Sequence, residues 1–205
     1  MESLLKRGCI VFLIFCTIVA LVLAIYCGTF TPRYLKFNVT GATLTEFDLV
    51  DKNTFVFNLT LNFTIRNPNP RIGFYYDRLM AVAYYKKKQI GNATRVPFYQ
   101  GYKKTISWTP VFEGKLDLPL TGKDKKEFEE EKNNGIYSVD VNIYLRVKAR
   151  FAEVKSEYYF EPGKFKCHLK VPLISYNSSG HFNTAKCKSK SFYTEHHYQI
   201  LEDDN

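Results

Sequence analysis

Few residues in this sequence are spaced for chemistry. The four histidines are His168, His181, His196 and His197. His196 and His197 are adjacent, and neighbours on an extended chain point to opposite sides, which makes a poor chelating pair. There is no Gly-x-Ser-x-Gly elbow, no phosphate-cradling Gly loop and no Cys-x-x-Cys pair. Isolated Asp and Glu residues are indistinguishable from surface charges. The expectation is a protein that is not an enzyme and takes no metal or cofactor.

Three other chemistries are better represented. The first is covalent modification. Asn-x-Ser/Thr sequons begin at Asn38, Asn58, Asn62, Asn92 and Asn177, and such sites accept glycans only in a secretory lumen. Asn-rich β sequence also yields these triplets by chance. The second is thiol pairing. Of the five cysteines, Cys9, Cys16 and Cys27 sit in an apolar run, which leaves Cys167 and Cys187. An oxidising compartment favours a disulfide between them, and closing that loop contributes ~3 kcal/mol in the chain-entropy model; two free thiols are the alternative. The third is cationic recognition. The chain carries 29 Lys and Arg against 20 Asp and Glu, a formal charge of +9, which favours acidic partners. Arg146, Lys148 and Arg150 alternate along one segment, and Lys164, Lys166 and Lys170 along another. On neighbouring strands they would form a surface for a pectin-like polyanion or anionic membrane headgroups. Solvated strand faces explain the same charges.

These groups need elements to position them. Residues 8–32 carry no charge, and the run from Cys9 to Cys27 is apolar except for Thr17. As a helix it reaches roughly 28 Å at ~1.5 Å per residue, close to the ~30 Å hydrocarbon core. It has no polar face of the kind a soluble core helix shows. The expected organisation is a cytosolic tail at 1–7, a transmembrane helix at 8–30, a β domain at 34–175 and a C-terminal loop or tail at 176–205. Lys6 and Arg7 before the run balance Arg33 and Lys36 after it, so flanking charge sets no orientation. The sequons all follow the run and place the β domain outside, where nucleic acid is not an expected partner. The rival is a cleaved signal peptide, for which the run is long and Tyr26-Cys27-Gly28-Thr29-Phe30 a poor cleavage pattern.

Beyond the run the period is two. Val139, Val141, Ile143, Leu145, Val147, Ala149 and Phe151 alternate with polar residues, as do Phe55, Phe57, Leu59, Leu61, Phe63 and Ile65. Asn58 and Asn62 then fall on the wet face. Phe165–Leu173 is a third strand, with Cys167 on its core side. Weaker strands are expected at Leu35–Val39, Leu79–Tyr85, Lys104–Trp108, Gly114–Leu118 and Glu157–Phe160. One-sided alternation argues for antiparallel sheets, and seven or eight such strands read as a sandwich. Thr121–Lys132 reads as a helix anchored by Phe128, with Asn133-Asn134-Gly135 as its stop.

Asn67-Pro68-Asn69-Pro70 ends the second strand. Each Pro lacks an amide donor and forces its predecessor extended, while Asn side chains replace missing backbone partners. This segment opens a series of ordered motifs: RNPNPRIGFYYD at 66–77, PFYQGYKK at 97–104, YLRVKARF at 144–151 and KCHLKVPL at 166–173. With the N-terminal run, the series resembles the plant harpin-induced and non-race-specific disease-resistance-like family, whose outer region is a late-embryogenesis-abundant group 2 domain.

The resemblance implies an all-β fold: an immunoglobulin-like antiparallel β-sandwich with one short helix, preceded by one N-terminal transmembrane helix. It also implies a plasma-membrane protein linked to defence and stress, and some relatives associate with plasmodesmata; with the run and the sequons, the expectation is a single-pass, type II protein with its C-terminal domain extracellular. The expected role is a non-enzymatic binding or scaffold component working with membrane protein partners. The alternative is a lipid or small-ligand carrier, with Phe55, Phe57 and Phe63 lining an apolar cavity. Core filling is the ordinary use of such rings.

Overall fold

The computed structural model describes residues 2–30, 33–50, 53–151, 154–160, 164–174 and 181–189. Asn177, His196 and His197 lie outside the described residues. Helix α1 spans Glu2–Phe30. Its Arg7–Gly28 segment is long and apolar enough to cross a membrane, and none of it is buried against the rest of the chain. A signal sequence has the same character.

The rest is two antiparallel sheets packed face to face. The first contains β1 (Lys36–Leu49), β2 (Thr54–Arg66), β6 (Thr105–Trp108), β7 (Val111–Asp117) and β11 (Ala185–Lys186). β6 and β7 pair with successive halves of β2. The second contains β3 (Ile72–Tyr85), β4 (Lys88–Arg95), β5 (Phe98–Gln100), β8 (Ile136–Phe151), β9 (Val154–Phe160), β10 (Lys164–Pro172) and β12 (Lys188–Ser189). β3 and β8 are its central pair.

Alternation decides which face is buried. Phe55, Phe57, Leu59, Leu61, Phe63 and Ile65 of β2 are all at the core, as are Val139, Val141, Ile143, Leu145, Val147 and Ala149 of β8. Rings fill the space between sheets. Phe55 lies 4.7 Å from Phe47 and 5.8 Å from Phe57 between centroids, and Phe63 stacks on Trp108 at 5.8 Å. Phe55, Phe57 and Phe63 therefore pack on neighbouring rings rather than framing an open cavity.

Helix α2 (Lys123–Asn134) joins β7 to β8 and buries Phe128. That ring faces Tyr137, Tyr85 and Phe55 at 6.1, 6.4 and 6.5 Å. Gly135 ends the helix at φ 65°, a left-handed conformation that glycine adopts without steric cost.

Several strands differ from the sequence expectation, and bulges explain the largest differences. β1 runs on past Val39 to Leu49, because register shifts at Val39/Gly41 and Leu44/Glu46 break its parity. Its core residues become Phe37, Val39, Leu44 and Phe47, which no period-two reading connects. β3 begins at Ile72 rather than Leu79. A shift between Tyr76 and Arg78 separates Ile72, Phe74 and Tyr76 from Leu79, Ala81 and Ala83 on one core face. β4 and β5 were not expected: β4 buries only Ile90, and β5 is short. The described part of the tail, expected as loop, supplies β11 and β12. β11 pairs β1 in one sheet and β12 pairs β10 in the other.

Candidate functional site

The six cations marked in the sequence share one sheet. β8 and β10 pair antiparallel with Tyr144 opposite Lys164, Asn142 opposite Lys166 and Ser138 opposite Lys170. Arg146 is two residues past Tyr144 on the same face, so it is a diagonal neighbour of Lys164. Arg150, Lys148, Arg146, Lys164, Lys166 and Lys170 thus form one stripe on the outer face. Lys188 of β12 extends it opposite Lys166. Acids interrupt the stripe: Arg146 is bridged to Asp77, with Nε donating at 3.1 Å, and His168 Nδ1 lies 2.6 Å from Asp140.

At the Arg150 end the stripe meets an aromatic cleft of about 370 Å³, lined by Tyr75, Tyr76, Asp77, Pro97, Phe98, Tyr99 and Lys148. The sheet builds it by placing β5 beside β3, with Tyr75 opposite Tyr99. Their rings stand 4.5 Å apart. Tyr99 lies across Gly73, where an added Cβ would come within 2.8 Å of its ring carbons. Arg150 Nη1 donates to the Tyr75 hydroxyl at 3.2 Å, and its guanidinium stands 5.7 Å from the Tyr99 ring centroid. Burial raises the Tyr99 phenol above its ordinary value, with Tyr102 adding and Arg150 opposing, so it stays a neutral donor at physiological pH.

The cleft floor is tied down by packing and hydrogen bonds. Tyr76 stacks on Phe98 at 4.4 Å and donates its hydroxyl to Gln100 Oε1 at 2.7 Å. Gln100 Nε2 donates to the carbonyls of Ile65 and Lys104 at 2.8 and 2.9 Å. The sequence marks these aromatics only within its motifs at 66–77 and 97–104. Nothing local in it says that β5 pairs β3, so the cleft was not legible as a site.

The Asn67-Pro68-Asn69-Pro70 turn does more than end a strand. Asn69 Oδ1 accepts the Arg33 N–H at 2.6 Å, and its Nδ2 donates to the Arg33 carbonyl at 2.8 Å. Asn67 Nδ2 donates to the carbonyls of Ile72 and Gly101 at 2.7 and 3.0 Å. The motif clasps the start of the domain to two loops.

Cys167 and Cys187 form a disulfide, with Cα atoms 4.2 Å apart. Among the sequons, Asn58 and Asn38 are half-buried and Asn62 exposed on the outer face of the first sheet, and Asn92 is exposed on β4. No group of His, Cys, Asp and Glu suited to a metal ion occurs among the described residues.

No family model matches the chain. Relatives are clear nonetheless. NDR1/HIN1-like protein 3 of Arabidopsis thaliana is 42% identical over 160 residues, covering 77% of this chain and 68% of its own length. NDR1/HIN1-like protein 10 of the same plant is 37% identical, covering 72% of this chain and 65% of its own length. NDR1/HIN1-like protein 1 is 31% identical, covering 80% and 75%. The chain thus spans 68% and 65% of the length of proteins 3 and 10, and 63% of that of NDR1/HIN1-like protein 2 of the same plant. A crystal structure of a protein from Archaeoglobus fulgidus covers 70% of this chain at 8% identity, with a TM-score of 0.28, too low to argue from. On the strength of these plant relatives, the chain belongs to the NDR1/HIN1-like family.

Proposed function

We propose that this protein is a single-pass plasma-membrane protein whose extracellular sandwich is a non-enzymatic binding or scaffold component in plant defence and stress signalling. Membership of the NDR1/HIN1-like family supports the plant defence and stress setting. The exposed apolar helix α1 supports the anchor. Sequon asparagines on the outer sheet faces support a lumenal, glycan-bearing domain.

The observation that carries the binding role is the cleft where Tyr75 and Tyr99 meet Lys148 and Arg150. Flat phenol rings offer large, stiff contact surface with a polar tip, suited to the apolar face of a sugar ring. Ammonium and guanidinium groups beside them suit carboxylates. The ligand class is an acidic wall polysaccharide of the pectin type, and the stripe from Arg146 to Lys170 extends the track along which it lies.

The test uses the full-length protein in neutral phosphatidylcholine nanodiscs, with polygalacturonate or a neutral glucan added. The expected result is retention by polygalacturonate alone, weakening as salt rises and reduced in Tyr99→Ala and Lys148→Glu. A salt-insensitive interaction, or none, overturns the reading. Protease protection and glycosidase shift on microsomes test the side of the membrane separately.

A further inference from the structure

The end of the sandwich nearest α1 has a composition that the binding role does not use. α1 ends at Phe30, and the backbone of Arg33 is held on both sides by Asn69. Three Cα steps separate Phe30 from Arg33, at most about 11 Å at 3.8 Å each. The polar layer of a bilayer is itself about 5–7 Å deep on each side of the hydrocarbon core. If α1 crosses a membrane, covalent reach keeps Arg33, and with it the loops clasped around Asn69, within about 11 Å of the end of the helix, close to the headgroups.

Those loops are basic and aromatic. Arg33, Lys36, Arg66, Arg71, Lys103 and Lys104 are all exposed. They are brought together by hydrogen bonds: Lys103 N donates to the Asn69 carbonyl at 3.0 Å, Asn67 N to the Lys104 carbonyl at 2.9 Å, and Arg66 Nη1 to Thr105 Oγ1 at 3.3 Å. Lys36 stands opposite Arg66 in the β1–β2 register. Tyr34 and Tyr102 are exposed among them at 50% and 38%, the amphipathic type that settles at membrane interfaces. No Asp or Glu occurs at 33–45, 53–76 or 89–112. The opposite end, where Thr54 starts β2, is different: α2 there mixes its lysines with Asp124, Glu127, Glu129, Glu130 and Glu131.

We propose that this end is a headgroup-docking collar, binding anionic phosphate-bearing lipids of the same membrane that α1 crosses. The collar rests on the anchoring part of the proposed function and is independent of the polysaccharide cleft. Each juxtamembrane cation adds electrostatic attraction that salt screens. Asn69 makes the collar possible by fixing the start of the domain to the loops that carry the charges.

Lysine acetylation footprinting of the full chain tests this, in nanodiscs of phosphatidylcholine alone or with phosphatidylserine. Lys36, Lys103 and Lys104 are expected to react roughly fivefold more slowly in the anionic discs. High salt should restore their rate, and Lys125 and Lys126 on α2 should be unchanged. In Arg71→Glu, a smaller slowing at Lys103 and Lys104 is expected. Equal rates in both discs overturn the collar. So does slowing that polygalacturonate produces in neutral discs but phosphatidylserine does not, which would make these loops a polysaccharide surface. A chain that does not float with the discs at all overturns the anchor instead, so the two failures are distinguishable.

Discussion

Every polar atom of the buried Asn67 side chain has a partner. Its Nδ2 donates to two carbonyls, and its Oδ1 accepts from Asn69 N at 3.0 Å and Asn69 Nδ2 at 2.9 Å. Asn69 passes that satisfaction on to Arg33. Asn69→Ala would strand both backbone groups of Arg33 and one lone pair of Asn67. Leaving such groups unpaired costs about 1–3 kcal/mol. Asn69→Asp should be at least as damaging, because it keeps the acceptor for Arg33 N–H but sets a carboxylate oxygen against the Arg33 and Asn67 oxygens. Denaturant midpoints of the full-length protein in micelles measure both; an unchanged midpoint for Asn69→Ala would show that the clasp is incidental. The turn itself was legible, since two prolines and two asparagines permit little else. Its partner was not. Arg33 lies 36 residues away in sequence, and contact over that separation depends on the register of β1 against β2.

Elements with strict alternation were read correctly, and those with bulges were truncated. β2 and β8 present one apolar face each over their whole length, so their burial follows from the sequence. β1 and β3 change parity midway, and half of each was lost to the reading. The tail was another omission, as β4 and β5 were, because two-residue strands carry no period. Its effect on the fold is larger than its length. Ala185 pairs Val39 of the first sheet, Ser189 pairs Phe165 of the second, and Cys187 N donates to the Phe37 carbonyl at 3.0 Å between them. The disulfide to Cys167 ties this crossing segment to β10, so one short stretch closes the side of the sandwich where β1 meets β10. Cys187→Ser is the clean variant, because Cys167 is fully buried and a serine there would add an unpaired hydroxyl. The expected loss is about 2–4 kcal/mol. Amide exchange at position 187 and along β1 should quicken ahead of global unfolding. Unchanged stability with unchanged exchange would mean that strand pairing alone holds the segment.

At the scale of the molecule, the aromatic core predicts how the fold fails in base. Tyr76, Tyr85 and Tyr137 are at most 1% exposed. Burial pushes all three phenols above the ordinary value of 10.0. Tyr137 reaches about 12 with Asp48 adding to the effect. Tyr85 is held still more strongly, because it donates to Glu131 at 2.6 Å. The unfolded chain releases these protons near pH 10 while the folded chain keeps them, so the unfolded state binds fewer protons and stability falls as pH rises. The contribution is fully present below pH 10, and each phenol removes about 1.4 kcal/mol per pH unit above it until its own folded-state value is passed, about 12 for Tyr137. Lys86 acts in the same direction. Its burial opposes the charge, but Glu127 and Glu131 outweigh that and hold the ammonium above its ordinary value. With domain stabilities of about 5–15 kcal/mol, three such phenols are enough to unfold the sandwich within a few pH units. Tyrosinate absorbance should therefore rise in two stages, the second a cooperative step in which the buried phenols ionise as β-sheet circular dichroism is lost. Tyr85→Phe should make the second step less steep. A smooth single titration with the circular dichroism intact would mean that these rings are wet, and the close-packed interior between the two sheets would have to be abandoned.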